Sequence, residues 1–474
     1  MDPTTIATTT TAVLTTKRSN RSCRLVLLPY PLQGHINPML QLANILYSKG
    51  FSITILHTHY NSPNPVNHPN FNFVPIPGVA EEKYPVSSID NLISLMRYLN
   101  DKCMGAVEDC LERMALEDEG VACLVTDAQW FATQSIADRL KFPRIVNWTS
   151  NVSTFLTFAA VPLLRDMGYV RKFTDQEKRS DALVSGVELL KVRDLSSFLT
   201  SDPKGASELM ELLVLGVKPA QAIIWNTVKE LEELELPKLS HDFPSSHFLI
   251  GPLHKYFPPL SSSLLTQDQT CISWLDKQAP NSVLYVSFGS LAGVEESQFQ
   301  EIAWGLANSK QPFLWVVRPG SIQGSEWLES LLDGYLEKIV EGKGYIVKWA
   351  PQQEVLAHFA IGGFLTHNGW NSTLESICEG VPMICSPRFG DQLTIARYVT
   401  DVWKIGVELK NGLERVEIEG AIKRLMADPE GLEIRARVNN LKEKVNNCLK
   451  KGGSSYSSLE DLVNYILSFK GGIK

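Results

Sequence analysis

Trp349 to Gln392 reads WAPQQEVLAHFAIGGFLTHNGWNSTLESICEGVPMICSPRFGDQ. Its middle predicts a short strand over Ile361–Thr366, a tight turn at His367-Asn368-Gly369-Trp370, and a helix from about Asn371 to Glu379. Gly380 and Pro382 close that helix, and Val381–Cys385 is a second apolar run. The pattern is strand, helix, strand, with the tight turn at the C-terminal end of the first strand. Open α/β sheets bind ligands at that end, and a helix N-terminus there suits a phosphate. An aromatic, a His, an Asn, a Ser, a Glu and an Asp-Gln pair surround the turn. They predict a nucleotide-sugar site whose reaction chemistry lies elsewhere in the chain.

Outward from this stretch, strand and helix keep alternating. Arg24–Pro29 is a mostly apolar run, as in a buried parallel strand. Asn37-Pro38 predicts a helix start, with Asn as N-cap and Pro at the first helical position. His35 then falls in the loop just before that helix. Cys123–Thr126 predicts a strand ending in Asp127, followed by a helix over Gln129–Leu140. A helix is expected over Thr227–Leu234, and Met167–Lys204 reads as irregular. Pro and Ser accumulate in His254–Gln269 and mark a linker. Beyond it, Val283–Ser287 is a strand, Glu296–Ser309 a helix, and Ser455–Phe469 an amphipathic final helix. The expected division is a tail at 1–22, an N-terminal Rossmann-like domain at 23–253 and a linker at 254–270. A C-terminal Rossmann-like domain at 271–454 and a last helix at 455–474 follow.

The 474 residues exceed one ordinary core, so two domains of roughly 200–250 residues are the default. The net charge of −7 leaves no basic concentration fit for nucleic acid. No apolar run is long enough to span a membrane. The Thr-rich first residues lack the apolar core of a secretory signal. The eight cysteines form no C-x-x-C pair and no zinc spacing, and most lie in apolar runs. They read as buried free thiols of a reducing compartment, which places the protein in the cytoplasm.

Two residues outside the opening stretch offer chemistry. His35 lies by a helix N-terminus, where the dipole disfavours imidazolium and favours the neutral ring that a general base needs. Asp127 ends its own strand on the same sheet edge, where its carboxylate can fix the tautomer of His35. The bland alternatives are a loop His bonded to backbone and an Asp that caps the next helix. Within the opening stretch, Trp349 can stack on a flat base or be a core indole. Asn371 and Ser372 open a helix toward a diphosphate, with His367 able to donate to the same oxygens. Glu375 either binds a ribose diol or completes a capping box with Ser372. Asp391-Gln392 either reads a hexose or simply starts a helix.

The stretch closely resembles the signature of plant family 1 UDP-dependent glycosyltransferases, through Trp349-Ala-Pro-Gln352, His367-Asn-Gly-Trp370-Asn371-Ser372, Glu375 and Asp391-Gln392. Pro31-Leu-Gln-Gly-His35-Ile-Asn-Pro38, Thr126-Asp127, Trp225-Asn226, Gly251-Pro252, Trp274-Leu-Asp276 and Tyr285-Val-Ser-Phe-Gly289-Ser290 resemble further landmarks. The resemblance covers about Arg24 to Phe469 and is nearest the branch of cytokinin, flavonol and steviol-glycoside glucosyltransferases. It implies a GT-B fold: two facing Rossmann-like domains with parallel sheets, the last helix crossing back to the first domain. By the same resemblance, Trp349 stacks on uracil, the Ala350 backbone bonds its edge, and Gln352 and Glu375 hold the ribose. Ser290, His367, Asn371 and Ser372 address the diphosphate beside Gly369. Trp370, Asp391 and Gln392 read the sugar, with Thr149 approaching it from the N-terminal half. A terminal Gln in this box is associated with glucose.

The expected protein is therefore an inverting glucosyltransferase that moves glucose from UDP-glucose to a small apolar acceptor. His35 would be the base and Asp127 its partner, with no metal and no cofactor beyond the donor co-substrate. The acceptor would be a terpenoid-, flavonoid- or hormone-like plant metabolite or its glycoside, bound around Pro85–Met104, Ser150–Pro162 and Leu190–Leu213, and the chain a monomer. A UDP-sugar-binding protein without catalysis and a retaining transferase or epimerase are the rivals.

Overall fold

The computed structural model describes residues 23–77, 89–174, 176–177, 180–198, 202–258, 263–291, 293–322, 343–410 and 412–469. The expected tail at 1–22, the start of the Pro85–Met104 stretch, part of the linker and residues 470–474 lie outside them.

Fifteen strands are described. Those of the N-terminal half are β1 (Cys23–Leu28), β2 (Phe51–His57), β3 (Asn72–Pro75), β4 (Cys123–Asp127), β5 (Arg144–Trp148), β6 (Leu183–Val184), β7 (Val187–Lys191), β8 (Ala222–Trp225) and β9 (Ser246–Leu249). The C-terminal half contributes β10 (Val283–Ser287), β11 (Phe313–Val316), β12 (Gly344–Val347), β13 (Ile361–Thr366), β14 (Met383–Cys385) and β15 (Gly406–Glu408). One sheet runs β3-β2-β1-β4-β5-β8-β9 and the other β12-β11-β10-β13-β14-β15, while β6 and β7 pair as a separate hairpin. Every neighbour in the two large sheets is parallel. Counted from β10 as its first strand, the second sheet has the order 3-2-1-4-5-6, and the first begins 3-2-1-4-5. These are doubly wound Rossmann orders. The fold is the expected α/β GT-B arrangement of two Rossmann-like units.

The strands are near-continuous apolar runs because both faces of each sheet are covered. Leu25, Leu27, Ile53, Ile55 and Ile224 pack under the helix Gln33–Ser48. The final helix, Ser454–Ser468, lies on that same face and buries Leu459, Leu462 and Ile466 there. Val26, Leu28, Leu124 and Val146 face the opposite core. All eight cysteines are buried and none is in a disulfide.

Four predicted elements differ; Gln129–Leu140, for one, is a 3-10 turn at Phe131–Thr133 followed by a helix over Gln134–Leu140 only. The first helix begins at Gln33, not at Asn37, so Pro38 stands inside it and His35 lies in its first turn. An internal proline normally loses a helical bond; here the Gly34 carbonyl that would have received it accepts from Asn371 Nδ2 at 2.8 Å. The segment Met167–Lys204 is not irregular throughout. It holds the β6–β7 hairpin and a helix at Val192–Phe198, and the helix Pro203–Val217 begins at its end. Asp202 caps that last helix, accepting from Gly205 N at 3.0 Å, with Pro203 in its first turn. Thr227–Leu234 is not a helix; a short 3-10 turn at Lys229–Leu231 precedes a helix at Leu236–Asp242. Glu232 turns inward there and accepts from the Thr227 hydroxyl at 2.7 Å.

The two halves are pinned by charge. Arg397, only 1% exposed, donates through Nε to Asp194 Oδ2 at 3.0 Å and pairs with Glu408 through Nη2. Arg193 Nη2 reaches the other oxygen of Glu408 at 2.7 Å. Arg397→Met keeps the volume and strands the buried Asp194 carboxylate. Stability at neutral pH is expected to fall by about 3–5 kcal/mol, the usual cost of breaking a buried pair. A denaturant melt showing no loss would remove the cluster from the fold's energetics.

Candidate active site

In each sheet the strand order reverses beside the first strand, and the adjacent helices leave on opposite faces. The crevice opens at β1/β4 in one half and at β10/β13 in the other, outside the strands' carboxyl ends. His35 follows β1 and Asp127 ends β4. Ser290 follows β10, and His367 follows β13. One cavity of about 460 Å³ joins the two crevices. The described residues that line it include His35, Thr149, Ser290, Trp349, Ala350, Gln352, His367, Gly369, Trp370, Asn371, Ser372, Glu375, Asp391 and Gln392. Asp127 stands behind this wall, fully buried.

His35 Nδ1 and Asp127 Oδ2 are 2.8 Å apart, and Thr149 Oγ1 is 3.1 Å from the same nitrogen. The other Asp127 oxygen accepts from Gln129 N at 2.9 Å. Asp127 does not cap the following helix, whose N-cap is Thr133 with no side-chain cap bond; one oxygen holds a turn and the other lies against the imidazole. With Nδ1–H directed at the carboxylate, Nε2 carries the free lone pair. Burial opposes charge on the ring, but the Asp127 carboxylate, as neighbour and as hydrogen-bond acceptor, outweighs it, and Asp391 adds to the effect. The His35 pKa lies above the ordinary imidazole value. The expectation from the helix dipole alone was the reverse; a carboxylate in contact outweighs a partial charge.

His367 has the opposite environment. Burial pushes its pKa down to about 4 against a backbone bond at Ser287, so the ring is neutral at physiological pH. Glycines on two sides make room for it. A Cβ at Gly289 or at Gly369 would come within 2.5 Å of His367 Nε2.

The helix Trp370–Glu379 has Gly369 as N-cap and no capping side chain. Its first N–H groups thus have no partner within the helix. The capping-box reading of Ser372 and Glu375 fails. Glu375 instead accepts from Gln352 Nε2 at 2.7 Å and Gln353 Nε2 at 2.9 Å, while Gln352 also reaches Ser372 Oγ at 2.9 Å. Burial raises the Glu375 pKa, and the two amide bonds hold it back. Asp391 sits at the N-cap of the helix Gln392–Arg397 but makes no cap bond. Its Oδ2 accepts from Ser150 Oγ of the other half at 2.8 Å. Burial raises its pKa too, against the Ser150 bond and the nearby His35.

Some side chains are committed elsewhere. Gln392 Oε1 accepts from the backbone N–H groups of Arg388 and Phe389, at 2.9 and 3.2 Å. The Trp370 indole N–H donates to the Asn226 carbonyl at 2.6 Å. Asn371 spends its amide on Gly34 and Asn226. Trp349 is half-buried, not a core indole, and its Nε1–H donates to Ser263 Oγ at 2.8 Å. Gln353 and Asn226 were not assigned roles from the sequence, and Ser150 was placed only as the start of a stretch around the acceptor. Asn226 stood in the Trp225-Asn226 pair, the one signal that pointed to it. Three helices of the N-terminal half add an apolar part to the wall, with Leu92 and Met96, Phe158, and Leu209, Met210 and Leu213. Among the described residues no Lys or Arg lines the cavity, and no cluster of His, Cys, Asp and Glu could hold a metal. No described helix is long and apolar enough to cross a membrane.

The family model for UDP-glucoronosyl and UDP-glucosyl transferase matches residues 76–434. UDP-glycosyltransferase 76B1 of Arabidopsis thaliana is 51% identical over 445 residues, covering 94% of this chain and 98% of its own. Among solved structures, Os79 from O. sativa in complex with UDP aligns with a TM-score of 0.80 at 28% identity, over 93% of this chain and 100% of that one. Phytolacca americana UGT2, complexed with UDP-2fluoro-glucose and pterostilbene, aligns with a TM-score of 0.75 at 26% identity, over 94% and 99%. The chain belongs to the plant family 1 UDP-glycosyltransferases and is a UDP-sugar glycosyltransferase.

Gly369→Ala is expected to displace the His367 ring and leave the global fold intact. If His367 donates to the diphosphate, the lost hydrogen bond to a charged group costs about 1.5–3 kcal/mol, and UDP affinity by calorimetry should fall roughly tenfold to a hundredfold. Wild-type affinity in this variant would detach His367 from the UDP seat.

Proposed function

We propose that this glycosyltransferase moves glucose from UDP-glucose, with inversion, to a hydroxyl or carboxyl of a small apolar plant metabolite or its glycoside. The observation that carries the proposal is the His35–Asp127 contact on the same cavity as the Trp349–Gln392 stretch. His35 Nε2 takes the proton of an acceptor hydroxyl, and Asp127 steadies the imidazolium that forms. The acceptor oxygen attacks the anomeric carbon as the bond to UDP breaks. Its electron pair leaves on the β-phosphate, where the N-terminus of Trp370–Glu379, Ser290, neutral His367 and Ser372 receive the charge. No metal or further cofactor enters this scheme.

For the donor, Trp349 presents a ring face to uracil and Ala350 its backbone. The Gln352–Glu375 pair meets the ribose. Asp391 meets the hexose, and Gln392 and Thr149 shape its surroundings. Trp370 has only its backbone N–H left to offer. The UDP-2fluoro-glucose bound to the Phytolacca relative supports glucose, and its pterostilbene supports a small apolar acceptor. The leucines and methionines of the N-terminal walls suit such a body. Eight buried cysteines, none in a disulfide, support a cytoplasmic setting.

A panel of plant aglycones and their glycosides incubated with UDP-glucose, read by mass and by the anomeric configuration of the product, tests the reading. Retention at the anomeric carbon would refute it. With an alcohol acceptor, His35→Ala should lower turnover by about 10²–10⁴, the span of a general base. Near-normal turnover would remove His35 from that role.

The pH profile provides a separate test. The active base is neutral, and Asp127 raises the His35 pKa. Turnover should therefore fall as pH drops through a midpoint above the ordinary value of about 6.5. Asp127→Asn removes the main raising influence and leaves burial, so the acidic limb should move to lower pH while the plateau falls. An acidic limb that stays in place would dissociate Asp127 from the titration.

A further inference from the structure

Pro38 stands five residues beyond the first residue of the helix Gln33–Ser48. Lacking an N–H, it leaves the Gly34 carbonyl without the donor that a helix normally supplies four residues on. Asn371 Nδ2 supplies one at 2.8 Å from across the cleft. Asn371 Oδ1 in turn accepts from Asn226 Nδ2 at 3.3 Å, and Asn226 Oδ1 accepts from Leu253 N at 3.0 Å. The Asn226 carbonyl holds the indole N–H of Trp370, the neighbour of Asn371. Gly34 immediately precedes His35. Asn371 lies in the first turn of the helix whose N-terminus faces the cavity. A Cβ on Gly34 would lie 3.8 Å from Asn371 Nδ2, so the two halves touch at this point.

We propose that Pro38, Gly34, Asn226 and Asn371 form a latch across the cleft, in which Pro38 is a positioning residue for the reaction. The latch rests on the assignment of base and diphosphate seat made above. Pro38 keeps the Gly34 carbonyl open, and Asn371 takes it. The first helix gives up one internal hydrogen bond and the two halves gain one. The bond joins the turn that carries His35 to the end of the helix that receives the leaving group. The distance between base and anomeric carbon is then set by a direct bond, not only by the packing of two large bodies. Pro38 touches no substrate and acts through Gly34.

Pro38→Ala tests this, because it returns an N–H that competes with Asn371 for the Gly34 carbonyl. The melting temperature should be unchanged or higher. UDP-glucose KM should stay within about threefold while kcat falls about tenfold, since displacements on the order of 1 Å can cost about a hundredfold. Asn226→Ala should lower kcat similarly. The double variant should be no slower than the slower single, since both substitutions open the same latch. A Pro38→Ala enzyme with wild-type kcat, or a double variant whose loss is the product of the two single losses, overturns the latch. All rates are read as UDP release with an acceptor chosen from the panel. A wild-type chain that releases no UDP from UDP-glucose overturns the donor reading instead, so the two failures are distinct.

Discussion

Strands β1 and β4 leave the first sheet side by side, and so do β10 and β13 in the second. Their helices depart to opposite faces, so neither can fill the gap between the strand ends. Each sheet is thus left with an open crevice at one edge. A displacement reaction needs a base on one side of a carbon and a seat for the leaving group on the other. Here the two crevices open into one cavity, and on the proposed function each supplies one of these. The buried arginine cluster at Arg397 and the contact between Trp370 and Asn226 hold the crevices in register.

The polar groups of the cavity are tuned by two opposed physical effects. At His35 a carboxylate in contact overcomes burial and lifts the pKa, whereas at His367 burial prevails and lowers it. The first ring is a stronger base than a free imidazole. The second stays neutral and can meet an anion only as a hydrogen-bond donor. Glu375 and Asp391 are both shifted upward by burial, and both are held by hydrogen bonds from neutral groups. A diphosphate entering this space finds backbone N–H groups and a helix dipole in place of lysine or arginine, an arrangement that binds charge without a fixed counter-ion.

Most of the architecture was legible because parallel strands buried on both faces are apolar throughout, and the helix between two of them has its own period. Strands β10 and β13 and the helix Glu296–Ser309 fall on the predicted residues. Two of the failures share a cause: a local rule was overruled by a contact from outside the element. Asn37-Pro38 is a good helix start, but the helix begins earlier because Asn371, more than 300 residues away, satisfies the carbonyl that Pro38 abandons. Ser372 and Glu375 have capping-box spacing, but Gln352 and Gln353 take the carboxylate. The helix Pro203–Val217 has a readable start at Asp202-Pro203, which the reading of Met167–Lys204 as irregular passed over. Placing the functional residues at strand ends needed only topology. Their bonding partners, such as Ser150 on Asp391, depend on how the halves meet, which no local pattern encodes.

The eight buried cysteines bear on chemistry the enzyme itself never performs. Burial pushes the thiols of Cys103 and Cys385 up to about 12 and that of Cys271 up to about 11. At neutral pH they are protonated and shielded, and reagents that need an accessible thiolate pass them by. One new surface cysteine in each half would then be the fast-reacting pair on an otherwise native chain. A dye or spin-label pair can be placed across the cleft without first stripping out the natural thiols. The separation of the two halves thereby becomes a distance that can be followed in solution.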